Sequence, residues 1–263
     1  MSVYVVEKLD AMLHYADLDG AGSPIVFLHG LGCASTYDYA EVAAHGALAG
    51  HRRILVDLLG AGYSETVAGF DYTPANHAAY LKGFLDRLHL PPYYLFGHSM
   101  GGAIAVLLAQ QLAQNLRAVI LTEPHIDPAA KGSASRFIAS FSEEDFARRG
   151  FAALKSAAKR AEGAGWYGSL QSWGARTLYS AAAAIAEGGN PSWREAMYRL
   201  TCPVHVIVGS QSKEDFKIDE MRKNGITVHI AQGVGHGMAW ENAAITAEAI
   251  AKAIAMVENS HNE

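Results

Sequence analysis

The sequence predicts an α/β protein: a mostly parallel central sheet with helices on both faces and a helical segment inserted as a cap. Three observations predict it. From Ile25 onward, short apolar runs of strand type alternate with stretches of helical type, the rhythm of crossover units around a sheet buried on both faces. Gly97-His98-Ser99-Met100-Gly101 stands between an apolar run, Tyr93–Phe96, and a stretch, Gly101–Ala109, that reads as buried helix. A Gly-X-Ser-X-Gly pentapeptide in that setting makes a strand-to-helix elbow with its serine exposed on a strained turn. The alternation then breaks after Leu121 and resumes only at Val204, far more chain than a simple helical crossover uses.

Two alternating segments, Val3 to Lys8 and Met12 to Tyr15, open the chain as an antiparallel hairpin on a sheet edge, and Leu18 to Pro24 follows as a loop of turn formers. Next come the strand Ile25–Leu28, a helix near Tyr37–Leu48, the strand Ile54–Val56 and a helix near Pro74–Leu88. The Thr73 hydroxyl caps free amides there, Pro74 suits the first helical position, and Pro91-Pro92 ends the segment. Tyr94–Phe96, the helix after Ser99 and Ala118–Leu121 complete the alternation. The surplus chain, residues 124–200, forms the cap, leaving 1–123 and 201–263 as the core domain. Ser142-Glu143-Glu144-Asp145 has the look of a helix start, and Ala152–Ala161 and Ala181–Ala186 are rich in helix formers. Gly163, Gly165, Gly168, Gly174, Gly188 and Gly189 divide the cap into short pieces. The chain closes with the strand Val204–Val208, a helix near Phe216–Lys223 stopped by Asn224-Gly225, the strand Thr227–Ile230 and a helix from Ala243 to Met256. Glu258 to Glu263 is expected to fray.

Composition narrows the function classes. With 263 residues, half of them hydrophobic and 18% charged, the chain buries a large core and is ordered. A net charge of −5 offers no electrostatic reason to bind nucleic acid or an anionic membrane surface. No apolar run is long enough to span a bilayer, and residues 1–8 lack the pattern of a secretory leader, so a cytoplasmic protein is expected. Cys33 and Cys202 are far apart and read as free, buried thiols. No metal site is expected, because the histidines show no His-Glu-X-X-His and no Cys/His ligand spacing. The glycines around Ser99 lack a Walker lysine and the Gly-X-Gly-X-X-Gly spacing, which disfavours nucleotide binding.

Three further motifs join the elbow. Ile25-Val26-Phe27-Leu28-His29-Gly30-Leu31-Gly32 ends a strand in a His-Gly loop, Asp57 to Ser64 places a Gly-X-Gly-X-Ser loop after the next strand, and Gly235-His236-Gly237 follows a late strand. Together these resemble the α/β-hydrolase superfamily over nearly the whole chain. The resemblance implies the α/β-hydrolase fold, with Ser99 as nucleophile, His236 as base and the backbone N–H groups of Leu31 and Met100 as the oxyanion hole. It also implies an acid that orients the histidine. Where the superfamily commonly has Gly-X-X-Asp, this chain reads Gly209-Ser210-Gln211-Ser212, and the nearest acids beyond are Glu214 and Asp215. A second acid position, known in haloalkane dehalogenases and zearalenone lactonases of this superfamily, falls on Glu123. Pro124 is expected to hold Glu123 in an extended exit from its strand.

Among the remaining histidines, His125 is the rival base, since it lies just after a strand on the catalytic edge. His29, Gly30 and His98 are candidate pocket or loop-supporting residues, joined by the cap aromatics Trp166, Trp173 and Trp193. Substitutions at these tryptophans should alter substrate preference more than reactivity toward a small ester. The expected activity is cofactor-independent serine hydrolysis of a small or medium hydrophobic ester or lactone. Carbon–carbon bond hydrolysis of a diketone or dienoate, and a lactone receptor with slow turnover, are the alternatives. An aspartate-nucleophile reaction is disfavoured because the elbow residue is serine.

Overall fold

Strands β1 (Ser2–Val6), β2 (Ala11–Leu18), β3 (Gly22–Leu28), β4 (His51–Val56), β5 (Tyr93–His98), β6 (Leu116–Thr122), β7 (Val204–Gly209) and β8 (Thr227–Ala231) form one sheet in the computed structural model of the chain. It describes residues 1–112, 115–160 and 165–260. The strand order is β1-β2-β4-β3-β5-β6-β7-β8. β1 pairs antiparallel with β2, and β2 antiparallel with β4; every other pairing is parallel. The side-chain period of two sends Val26 and Leu28 of β3 to one face, where the helices Pro74–Leu88 and Met100–Ala109 pack. It sends Ile25 and Phe27 to the other, against Tyr39, Phe96 and Ile250 of the helix Ala243–Ser260. Each central strand therefore reads as a continuous apolar run, because neither face meets water.

Several element boundaries differ from the sequence reading, each for a local reason. β3 starts at Gly22, inside the expected loop, with the Gly22 N–H donating to the Gly50 carbonyl at 2.8 Å. The stretch expected as one helix near Tyr37–Leu48 is broken into Ser35–Asp38, Ala40–Ala44 and a 3-10 turn at Gly46–Leu48. The helix Pro74–Leu88 starts as expected, with the Thr73 hydroxyl accepting from the Asn76 N–H at 3.2 Å, but it stops at His89 in the left-handed region, ahead of the prolines. The last helix runs on to Ser260: Val257 is buried, and the Tyr94 hydroxyl donates to Glu258 at 3.2 Å, so residues 258–260 are not frayed. Residues 261–263 lie outside the described residues, as do Gly163 and Ala161.

Between β6 and β7 the described chain is helical: Ala134–Ala139, Glu143–Asp145, a π-helical turn at Phe146–Gly150, Phe151–Arg160, Gly165–Leu170, Ala175–Glu187 and Trp193–Tyr198. Ser142 caps its helix by accepting from the Asp145 N–H at 3.2 Å. Gly174 and Gly188 bound the helix Ala175–Glu187. Gly165 is the first residue of the helix Gly165–Leu170, where a Cβ would meet the Trp240 ring, while Gly168 lies inside that helix rather than at its end. Buried Arg194 grips Asp127 through two hydrogen bonds of 2.6 and 2.9 Å, joining the helix Trp193–Tyr198 to the exit of β6.

Candidate active site

Ser99 follows β5 directly, at φ +50° and ψ −116°, outside the regions open to an ordinary L-residue. The strain is sustained by its neighbours: the Ser99 N–H donates to Thr122 O at 3.1 Å, while Ser99 O accepts from the N–H groups of Gly102 and His125, both at 2.9 Å. Glycine is required at Gly101, where a Cβ would run into the carbonyls of Leu28 and His29, and at Gly97, where it would strike Gly101. Ser99 occupies the cap position of the helix Met100–Ala109, yet its hydroxyl makes no capping bond. The Oγ is thus free for other work.

The ladder of β5 with β6 pairs His98 with Thr122, and that of β6 with β7 pairs Thr122 with Ile207. Glu123 therefore emerges beside the elbow, and its own N–H donates to Ile207 O at 3.0 Å. It is not extended as the following proline led one to expect. Its φ is +46°, and this left-handed turn brings the 2% exposed carboxylate back over the end of β7. There Oε1 accepts from the Gly209 N–H at 2.7 Å and from the Ser212 hydroxyl at 2.6 Å. Oε2 faces His236 Nδ1 at 3.4 Å. Glu214 and Asp215 lie in the exposed turn Lys213–Asp215, where Glu214 contacts Lys213, and neither bonds to His236 among the described residues.

The loop that carries His236 is fastened on three sides. The Glu241 carboxylate accepts from the N–H groups flanking it, Gly235 at 2.5 Å and Gly237 at 3.0 Å. His98 Nε2 donates to the His236 carbonyl at 2.9 Å. The Gln211 N–H donates to Val234 O at 3.1 Å, and a Cβ at Gly209 would strike that carbonyl. His98 is buried; burial first, then the charge on His236, push its pKa down to about 3, so it stays a neutral tether.

The His29–Gly32 loop closes the other side of Ser99, with a Cβ at Gly30 falling 3.2 Å from the Ser99 Cβ. Buried His29 accepts from the Leu58 N–H through Nε2 at 3.0 Å and donates to Gly30 O through Nδ1 at 2.9 Å. Burial lowers its pKa, against the pull of Asp57. The N–H groups of Leu31 and Met100 have no hydrogen-bond partner among the described residues. Two indoles of the helical segment between β6 and β7 reach this loop. Trp166 Nε1 donates to Leu31 O at 2.9 Å and Trp173 Nε1 to Cys33 O at 2.8 Å. Gly32, at φ +73°, leaves the space that Trp166 fills. Buried Asp38 ties three elements together, accepting from Ala34 N–H at 2.6 Å, from Trp240 Nε1 at 2.7 Å and from the Ser169 hydroxyl of the helix Gly165–Leu170.

A family model described as the alpha/beta hydrolase fold matches residues 23–161, more than half of the chain. The chain belongs to the alpha/beta hydrolase family. Among solved structures this hydrolase-fold chain is similar to a carboxylesterase of Nitrososphaera gargenis, with TM-score 0.82, 18% identity and coverage of 98% of this chain and 100% of the other. It is also similar to a thermophilic esterase from Thermogutta terrifontis, with TM-score 0.78, 22% identity and 94% of both chains covered. At these identities the likeness concerns the fold. Curated relatives include a 2-hydroxy-6-oxo-2,4-heptadienoate hydrolase of Pseudomonas putida, 33% identical over 103 residues, 39% of this chain and 37% of that protein. Haloalkane dehalogenase 2 of Mycobacterium tuberculosis is 35% identical over 118 residues, 44% of this chain and 40% of that protein. The chain matches about two fifths of the length of these relatives.

Within this alpha/beta hydrolase frame, the structure brings Ser99, Glu123 and the loop of His236 together with Leu31, Met100, His29, Gly30 and His98. Trp166 and Trp173 reach the same loop from the helical segment between β6 and β7. Trp193 does not join them by hydrogen bond among the described residues; it is buried against Gly189. His125 adjoins the elbow through its backbone, but burial, then His236, lowers its pKa to about 4, leaving it a weak base. The thiols are free, Cys33 buried and Cys202 half-buried. Among the described residues no group of three or more His, Cys, Asp or Glu is placed to hold a metal, and no helix is long and apolar enough to cross a membrane. Sequence reasoning missed Glu241, Asp38 and Ser212. Ser212 alone had a signal, as the residue standing where an aspartate was expected.

Proposed function

We propose that this chain is a cofactor-independent serine hydrolase of a small or medium hydrophobic carboxylic ester or lactone, working through an acyl-enzyme. The observations that carry the reading are the strained Ser99 with its uncommitted hydroxyl, the unpartnered N–H groups of Leu31 and Met100 on the loops beside it, and Glu123 facing His236 from the adjoining strand end. With Nδ1–H directed at Glu123, the Nε2 lone pair of His236 is left to accept the Ser99 proton as Oγ attacks the carbonyl. The oxyanion develops toward the N–H groups of Leu31 and Met100. His236 returns the proton to the departing alcohol, and water, deprotonated by the same imidazole, releases the acid. The Glu123 carboxylate offsets the charge of the imidazolium at each step.

Residues 124–200 act as a cap over a core formed by 1–123 and 201–263, and the indoles of Trp166 and Trp173 border a pocket suited to apolar substrates, to which buried Trp193 does not contribute. The named activities of the structural relatives, esterases and an N-acyl homoserine lactonase, agree with this class. The dienoate hydrolase among the curated relatives supports carbon–carbon hydrolysis as the second reading. The test is multiple turnover of p-nitrophenyl esters of rising chain length, aromatic lactones and a dienoate, by wild type and Ser99→Ala. Repeated turnover of esters or lactones, abolished in Ser99→Ala, is the expected result. Turnover of the dienoate alone would favour the second reading, and a single slow turnover would favour a receptor.

A further inference from the structure

We infer that Ser212 is a positioning residue: its hydroxyl holds the Glu123 carboxylate in the orientation that leaves Oε2 for His236. The inference rests on the triad proposed above and adds a residue to it. Ser212 stands where relatives of this fold commonly carry the acid, and its hydroxyl donates to Glu123 Oε1 at 2.6 Å, the same oxygen that accepts from the Gly209 N–H at 2.7 Å. The two donors differ in kind. The Gly209 N–H is part of the backbone at the end of β7, whereas the hydroxyl belongs to the turn beyond it, which also carries the Gln211 link to Val234 in the histidine loop.

Glu123 has one more methylene than an aspartate and reaches across from β6, so its carboxylate can rotate about the last side-chain torsion. A single donor on Oε1 marks one point of that carboxylate; two donors from different directions define its plane. Fixing the plane places Oε2 opposite His236 Nδ1, at 3.4 Å. Hydrogen bonds to charged groups are among the stronger ones. The serine therefore serves the same histidine as the aspartate it replaces, indirectly, by aiming the acid that has moved to the next strand.

The experiment is a double-mutant cycle on a small activated ester, with wild type, Ser212→Ala, Ser212→Thr, Glu123→Gln and the Ser212→Ala/Glu123→Gln double variant. Ser212→Ala is expected to lower kcat about ten-fold with KM little changed, and Ser212→Thr, which keeps the hydroxyl, to recover most of it. In the Glu123→Gln background the Ser212→Ala change should have almost no further effect, because its route to the histidine is already gone. Equal ten-fold losses in both backgrounds, or no loss in Ser212→Ala while Glu123→Gln is severely impaired, would overturn the role of Ser212 and leave the triad standing. A benign Glu123→Gln would instead remove the triad reading itself.

Discussion

Glu123 sits at a backbone angle that a non-glycine residue adopts only under constraint, and the constraint has a visible return: two donors on Oε1 and a histidine on Oε2. Removing its charge while keeping its shape should lower kcat by about 10² or more, with KM nearly unchanged, because the imidazolium loses its counter-charge and tautomer control. Steady-state kinetics of Glu123→Gln beside Glu214→Gln and Asp215→Asn checks this, the last two staying near wild type. Damage from Asp215→Asn comparable to Ser99→Ala would place the acid beyond Gly209. The sequence pointed to Glu123 because the usual position holds only a neutral hydroxyl, and the structure sets the Glu123 carboxylate facing His236. Its left-handed turn was not legible in the sequence: a following proline disfavours right-handed helix, but it does not say which of the remaining regions the ladder to Ile207 and the pull of Gly209 will select.

At the scale of elements, the strands at the centre of the sheet were legible because both faces are buried, and the helix Pro74–Leu88 because threonine and proline mark its start. The stretch after the His-Gly loop was not. Its helical composition is overridden where Asp38 turns to bind Ala34, Ser169 and Trp240, contacts distant in sequence by up to two hundred residues. The cap aromatics carried the same ambiguity, since a tryptophan that packs and one that anchors a backbone carbonyl look alike in a sequence. Trp166 and Trp173 do the second. Trp166→Phe keeps an aromatic ring but loses the bond to Leu31 O, so the peptide that follows the proposed oxyanion N–H of Leu31 is freed. kcat should fall several-fold on short and bulky esters alike, beyond any change in preference. Measuring kcat/KM for both esters in Trp166→Phe and Trp193→Phe checks this; a loss confined to the bulky ester would show that Trp166 only shapes the pocket.

Over the whole molecule, neutral histidines are built into the interior: His77 and His98 are held down to about 3, and His125 and His205 to about 4, each chiefly by burial. The unfolded chain takes up these protons near pH 6.5 and the folded chain only below about 4. Between those values the unfolded state binds more protons, so stability is full above about pH 6.5 and is lost as the pH falls toward 4. Tm followed from pH 7.5 to pH 4.5 should drop. His205→Asn, which removes one such group and its 2.9 Å contact with His229, should flatten the slope; an unchanged slope would show that His205 is not among the groups responsible. The central claim, that Ser99 is the nucleophile aimed by this fold, is tested most directly by intact-mass and peptide mapping after treatment with a fluorophosphonate. One adduct on Ser99 in wild type, and none in a folded Ser99→Ala, is the predicted result. An adduct at another residue, or full ester turnover by Ser99→Ala, would contradict it.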